Sequence, residues 1–177
     1  MDDSARRSLE ASCVPHLRAA YNLARWLARD EHEAADVVQE ASLRAVKYFE
    51  GASEIADARA WFLRIVRNTF YSSRSRAAPD RGAASFDEAL HTGARDPFNP
   101  EATALRDSDR EVVRAALREL ALDFREALVL REIEGLSYKE IGAITGVPIG
   151  TVMSRLARAR RALAEALARR TKKERSS

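Results

Sequence analysis

A chain of 177 residues is long enough for one compact domain or two small ones, and 46% hydrophobic with 32% charged residues describes ordinary globular packing. The net charge of +3 hides an uneven distribution: from Thr151 onward nine basic residues stand against two acidic ones, a bias that suggests a polyanionic partner, with a solvated basic helix as the plainer alternative. The lone Cys13 excludes an internal disulfide, no apolar run approaches the ~20 residues of a membrane span, and the start MDDSARRSLE lacks a signal peptide's apolar centre, so a cytoplasmic chain without membrane insertion is expected.

Helical periodicity runs through the chain, and no alternating strand pattern competes with it. Helices are expected near 9–29, 31–49, 57–76, 101–120, 123–133, 137–145 and 148–170. In DVVQEASLRAVKYF (36–49), Val38, Ser42, Ala45 and Phe49 define an inner face, while Asp36, Gln39, Glu40, Leu43 and Lys47 point outward. A leucine amid charges suits a protein-docking face with an apolar centre and a polar rim. A single exposed leucine is also ordinary.

The polar segment Glu50–Asp57 leads into ARAWFLRIVRNTFYSSRSR. There Trp61, Phe62, Ile65, Val66 and Thr69 form an apolar stripe, with Arg64, Arg67, Tyr71 and Arg74 on the far face and Asn68 at the edge. Arginines interleaved with an aromatic suit a nucleic-acid strand, because cations meet phosphates and a ring can stack on an unpaired base. A solvated cationic face is the alternative.

From Ala77 to Pro100 the texture changes, and three of the five prolines fall there. Acidic residues outnumber basic ones six to three over 79–108. A structureless loop of this length is uncommon inside a compact domain. The expected fold is therefore all-α, with two small helical domains (1–77 and 105–177) joined by a flexible linker (78–104).

The second domain carries GLSYKEIGAITGVPIGTVMSRLARARRAL (135–163). Ser137 and Glu140 have the spacing of a capping box for a helix starting at Tyr138. Gly146 suits the left-handed turn that ends it, and Pro148 the first turn of the next helix. The pattern is a helix-turn-helix, held together by Ile141, Ile144, Val147, Val152 and Leu156. At ~100° per residue, Val152, Leu156, Ala159, Leu163 and Leu167 face the core, Thr151, Ser154, Arg158 and Arg161 face outward, and Arg155 and Arg160 flank the stripe. Hydroxyls and arginines displayed in this way fit a DNA major groove.

These three motifs, in this order and one linker apart, resemble the extracytoplasmic-function group of bacterial sigma factors, across nearly the whole chain. The resemblance implies a transcription initiation factor that binds core RNA polymerase and promoter DNA. It implies polymerase docking through Asp36, Gln39, Glu40, Leu43 and Arg44, and melting of the minus-ten element by the helix of Trp61, Arg64, Arg67 and Asn68. With the Glu50–Asp57 loop, Asn68 would hold a base turned out of the non-template strand; Tyr71 and Arg74 extend that face. Recognition of the minus-thirty-five duplex would fall to Thr151, Ser154, Arg155 and Arg158, with Arg161 beside them. It further implies a linker threading the polymerase channels and an anti-sigma partner covering the docking surfaces. Met153 and Ala157 depart from residues found in some members, so promoter specificity does not transfer base by base. No appended sensory domain is expected.

A stand-alone dimeric helix-turn-helix regulator would account for the second domain but not for the first. An enzyme is not expected: no nucleophile is paired with a base, and no glycine loop cradles a phosphate. His16, His32, His91 and Cys13 lack metal-site spacing, so neither metal nor cofactor is expected.

Overall fold

The computed structural model describes residues 3–28, 30–49, 55–77 and 104–174. The expected linker, apart from its last residue, lies outside the described residues, as does most of the Glu50–Asp57 loop. The elements are α1 (Asp3–Cys13), a short 3₁₀ turn (Val14–His16), α2 (Leu17–Leu27), α3 (Glu31–Phe49), α4 (Ala58–Ala77), α5 (Ala104–Glu119), α6 (Leu122–Leu128) running into a π-helical turn (Val129–Ile133), α7 (Tyr138–Thr145) and α8 (Ile149–Glu174). No strand occurs among the described residues.

The helix expected over 9–29 is two helices. Pro15 sits at the start of the 3₁₀ turn between them, where its missing N–H interrupts the hydrogen-bond ladder. Side-chain caps set other boundaries. Asp30 Oδ1 accepts from the Glu33 N–H at the head of α3, and Asp57 Oδ1 accepts from the Ala60 N–H at the head of α4, each at 2.9 Å.

The first helical region packs α1, α2, α3 and α4 around Leu23, Val37, Phe62, Leu63, Val66 and Phe70. Leu63 and Phe70 are fully buried, which widens the stripe expected from the sequence. The second region packs α5, α6 and α7 on α8 around Leu130, Ile141, Ile144, Val152 and Leu156. Its helix-turn-helix has the expected local geometry. Ser137 and Glu140 close a full capping box, and Gly146 adopts φ 72°. Pro148 lies one step earlier than expected, ahead of α8, and its carbonyl accepts from the Thr151 and Val152 N–H groups.

The two regions also pack against each other, α4 on α7 and α2 on α6, and their apolar residues form one continuous core. Three polar crosslinks span the contact. Arg67 Nε donates to Glu126 Oε1 at 2.8 Å. Arg59 donates to the Glu134 carbonyl and to its Oε2, both at 2.8 Å, while Asn22 Nδ2 donates to Glu134 Oε1 at 3.2 Å. Arg125 donates to the Leu117, Arg118 and Leu120 carbonyls at the end of α5, and across the contact to the Trp26 carbonyl at 3.0 Å.

Candidate nucleic-acid interface

On α3, the residues Ala34, Val37, Ala41 and Ala45 are buried, whereas Val38, Ser42 and Phe49 are half-buried. The inner face is thus turned slightly from the expected one, because small alanines let α2 and α4 approach closely. Asp36, Gln39, Glu40 and Leu43 are exposed as expected, Leu43 to 56%. Arg44 is half-buried and bonded to Glu40 one turn earlier at 2.9 Å. The result is a solvent-facing surface with a leucine at its centre.

The arginine row of α4 is divided. Arg64, Asn68 and Arg74 are exposed, and the Arg74 guanidinium lies over the Phe70 ring at 5.7 Å. Arg67 and Tyr71, expected on the outward face, are instead half-buried against the second region. The guanidinium of Arg67 stands over the Tyr71 ring at 4.5 Å and bonds Glu126, whose side chain is fully buried. A helical wheel drawn for α4 alone cannot show that another helix covers one edge of the face. Trp61 is half-buried, edge-on to Phe49 at 6.5 Å between centroids. An indole so packed braces α4 against α3.

Burial, helped by the negative charge of Glu126, pushes the Tyr71 hydroxyl up to about 12, outweighing the neighbouring Arg67. Burial also holds the Glu126 carboxyl above the usual carboxylate range, although Arg67 pulls it down. Its second oxygen, Oε2, is buried without a hydrogen-bond partner. In the capping box, hydrogen bonds from the Ser137 side chain and backbone hold Glu140 below its usual range.

On α8, Val152, Leu156, Ala159 and Ala166 are buried, while Leu163 and Leu167 are half-buried. Ser154, Arg158 and Arg161 are exposed, and Thr151 is half-buried. The Ser154 hydroxyl donates back to the Thr151 carbonyl at 3.0 Å. Arg155 is half-buried and lies 3.6 Å from Asp123 of α6. Arg160 bonds Glu132 at 2.8 Å. Ile149 and Met153, one turn apart at the start of α8, are exposed to 48% and 53% and add an apolar edge.

Sequence reasoning passed over Asp123, Glu126 and Glu134, the carboxylates that meet Arg155, Arg67 and Arg59. Glu126 does leave a trace: it interrupts the apolar series Leu122, Leu130 at helical spacing. Among the described residues no cluster of His, Cys, Asp and Glu could hold a metal ion, and no helix is long and apolar enough to cross a membrane.

Residues 14–79 match the family model of sigma-70 region 2, and residues 110–163 that of sigma-70, region 4. The RNA polymerase sigma-H factor of Pseudomonas aeruginosa is 39% identical over 147 residues, which cover 78% of this chain and 75% of that one. The ECF RNA polymerase sigma factor SigE of Mycolicibacterium smegmatis is 36% identical over 95% of this chain, which spans 65% of that longer relative. Among solved structures, the sigma factor RpoE of Bartonella quintana, in complex with the anti-sigma factor NepR, superposes with a TM-score of 0.72 at 30% identity, covering 92% of this chain and 98% of that one. CnrH in complex with the cytosolic domain of CnrY superposes with a TM-score of 0.64 at 25% identity, covering 92% and 89%. The chain belongs to the sigma-70 family, in its ECF group, and is a transcription initiation factor that directs RNA polymerase.

Proposed function

We propose that α3 docks on core polymerase, α4 captures the opened minus-ten strand, and α8 reads the minus-thirty-five duplex. Residues 1–77 and 105–177 are the two working modules, and 78–104 connects them. The observation that carries this reading is the separation of three exposed surfaces of different character. Leu43 stands within a charged face on α3, Arg64, Asn68 and Arg74 stand on α4, and Ser154, Arg158 and Arg161 stand on α8.

Each surface fits its task. The leucine-centred face offers apolar burial within a polar rim. Guanidinium groups at a duplex contact phosphates and the guanine edge bidentately. The α4 row meets a single strand, where an unpaired base offsets an unstacking cost of a few kcal/mol. Melting then follows from preferential binding of the open strand over the closed duplex. This chain makes and breaks no bond; polymerase does the chemistry, in the cytoplasm. An anti-sigma factor is a natural partner, because the RpoE and CnrH structures it resembles were solved with the anti-sigma factor NepR and with CnrY.

Run-off transcription with core polymerase on the promoter of the chain's own operon tests the assignment. Leu43→Asp is expected to abolish co-elution with core polymerase while leaving the fold intact. Arg64→Glu is expected to co-elute normally yet lose open-complex formation, read as permanganate-reactive thymines. Normal transcription by both variants would overturn the assignment.

A further inference from the structure

The outer side of α8 carries two columns of different chemistry over its first three turns. Ser154 and Arg158, both exposed, belong to a polar column that begins at the half-buried Thr151. Beside it, at intervals of four residues, Ile149, Met153 and Ala157 form an apolar column that is exposed throughout, Ile149 to 48% and Met153 to 53%. The packing of α8 on α6 and α7 does not use that column, because the buried stripe of Val152 and Leu156 already supplies it. Exposed apolar area of this kind gains free energy only when a partner covers it. The surroundings indicate which partner. Arg158 and Arg161 stand exposed alongside, and nine basic residues face two acidic ones from Thr151 onward, a setting suited to a polyanion. Among the hydrogen-bonding edges of a DNA major groove the one apolar group is the 5-methyl of thymine. Base edges are reached by the N-terminal residues of a recognition helix, and Met153 lies in the second turn of α8. An unbranched thioether side chain adapts its shape to a small apolar target and donates no hydrogen bond.

We propose that Met153, with Ile149 one turn before it, is a specificity-determining residue of the minus-thirty-five contact, and that it packs on the 5-methyl group of a thymine beside the groove positions held by Ser154 and Arg158. The proposal deepens the reading of α8 as the duplex reader and rests on it. It divides the work of the helix between two kinds of selection. Arg158 discriminates through directional hydrogen bonds and adds a phosphate-like attraction that salt weakens. Met153 discriminates through burial of a methyl group, which separates thymine from cytosine and releases no counterion, so its share of the selection does not fall as salt rises.

The test uses the full chain bound to core polymerase. The holoenzyme selects from a promoter library in which the minus-thirty-five element is randomised, and affinity for the selected promoter is then read by competition. Wild type is expected to select a thymine at a position that Met153→Ala leaves unselected. Replacing that thymine by deoxyuridine, which lacks only the methyl group, is expected to weaken wild-type binding roughly fourfold, the worth of one buried methyl group. The same replacement should leave Met153→Ala binding unchanged, since the two changes remove one contact. Met153→Leu keeps an apolar side chain of similar volume and should retain the penalty. An equal deoxyuridine penalty in wild type and Met153→Ala, or the absence of any thymine whose selection depends on residue 153, overturns the proposal. So does a Met153→Ala variant that loses co-elution with core polymerase yet selects the same sequence, because the apolar column would then belong to a protein contact. Arg158→Ala separates the two levels of the reading. If it leaves minus-thirty-five selection unchanged, α8 does not read the duplex and both assignments fall. If it alters selection while Met153→Ala does not, the methyl contact alone falls.

Discussion

Arg67 and Tyr71 show how much a single side chain's setting depends on its neighbours. Periodicity in α4 places both on the cationic face, yet each is half-buried under the second region. For Tyr71 the consequence is measurable. Its hydroxyl is raised to about 12 by burial first and by Glu126 second. The folded value lies above the usual ~10, so its contribution to stability is fully present below that value and is lost as pH rises through about 12. Tyrosinate absorbance should therefore show a late step, near pH 12, that Tyr71→Phe removes. In Glu126→Gln, which removes the nearby negative charge, that late step should move to lower pH. A late step that survives Tyr71→Phe would mean that it does not belong to Tyr71.

At the scale of elements, the helix-turn-helix was legible because its signals are local. A capping box needs two side chains three residues apart, and a left-handed turn needs a glycine; both are written in consecutive letters. A tighter constraint lies at Gly142, where an added Cβ would come within 3.0 Å of the Val147 carbonyl oxygen across the turn. Gly142→Ala should destabilise the protein by about 1–3 kcal/mol in chemical denaturation, because the backbone must shift to admit a methyl group. Gly150→Ala is the control, since its Cβ would meet nothing within 4 Å and alanine favours the helix it would join. Equal midpoints for the two variants would show that the turn is looser than the close approach implies. The break at Pro15 and the π-helical turn after Leu128 were less legible. A proline tolerated in a first turn and a one-residue register change leave little imprint on apolar spacing.

For the whole molecule, the contact between the two regions, closed in this structure, has its own pH dependence. Burial raises the Glu126 carboxyl in the closed form, and separating the regions would uncover the side that faces Arg67. Closed protein therefore holds that proton more tightly, and the stabilisation it brings is fully present below the open-form value and lost as pH rises through the closed-form value. The charges facing it, Arg67 and Arg155 on one side and Asp123 on the other, shift that window without reversing the sign. Wild-type protein should accordingly become more compact as pH falls from neutral into the mildly acidic range. Glu126→Gln should stay compact and show no such change, because its amide oxygen still accepts from Arg67. A scattering profile of the wild type that expands on mild acidification would contradict this. At neutral pH the ionised, desolvated pair of Glu126 and Arg67 offsets part of its own attraction.

The sequence by itself determined the all-α class, the helix-turn-helix, the exposed leucine among charges on α3 and the family, because each depends on residues a few positions apart whose periodicity, caps and turn chemistry act locally. Only the tertiary structure decided which arginines meet solvent. Glu126 and Arg67 are far apart in the chain, and no helical period links one helix's cationic edge to another's carboxylate. That pairing depends on how α2 and α4 lie against α6 and α7, a choice made by the packing of whole surfaces.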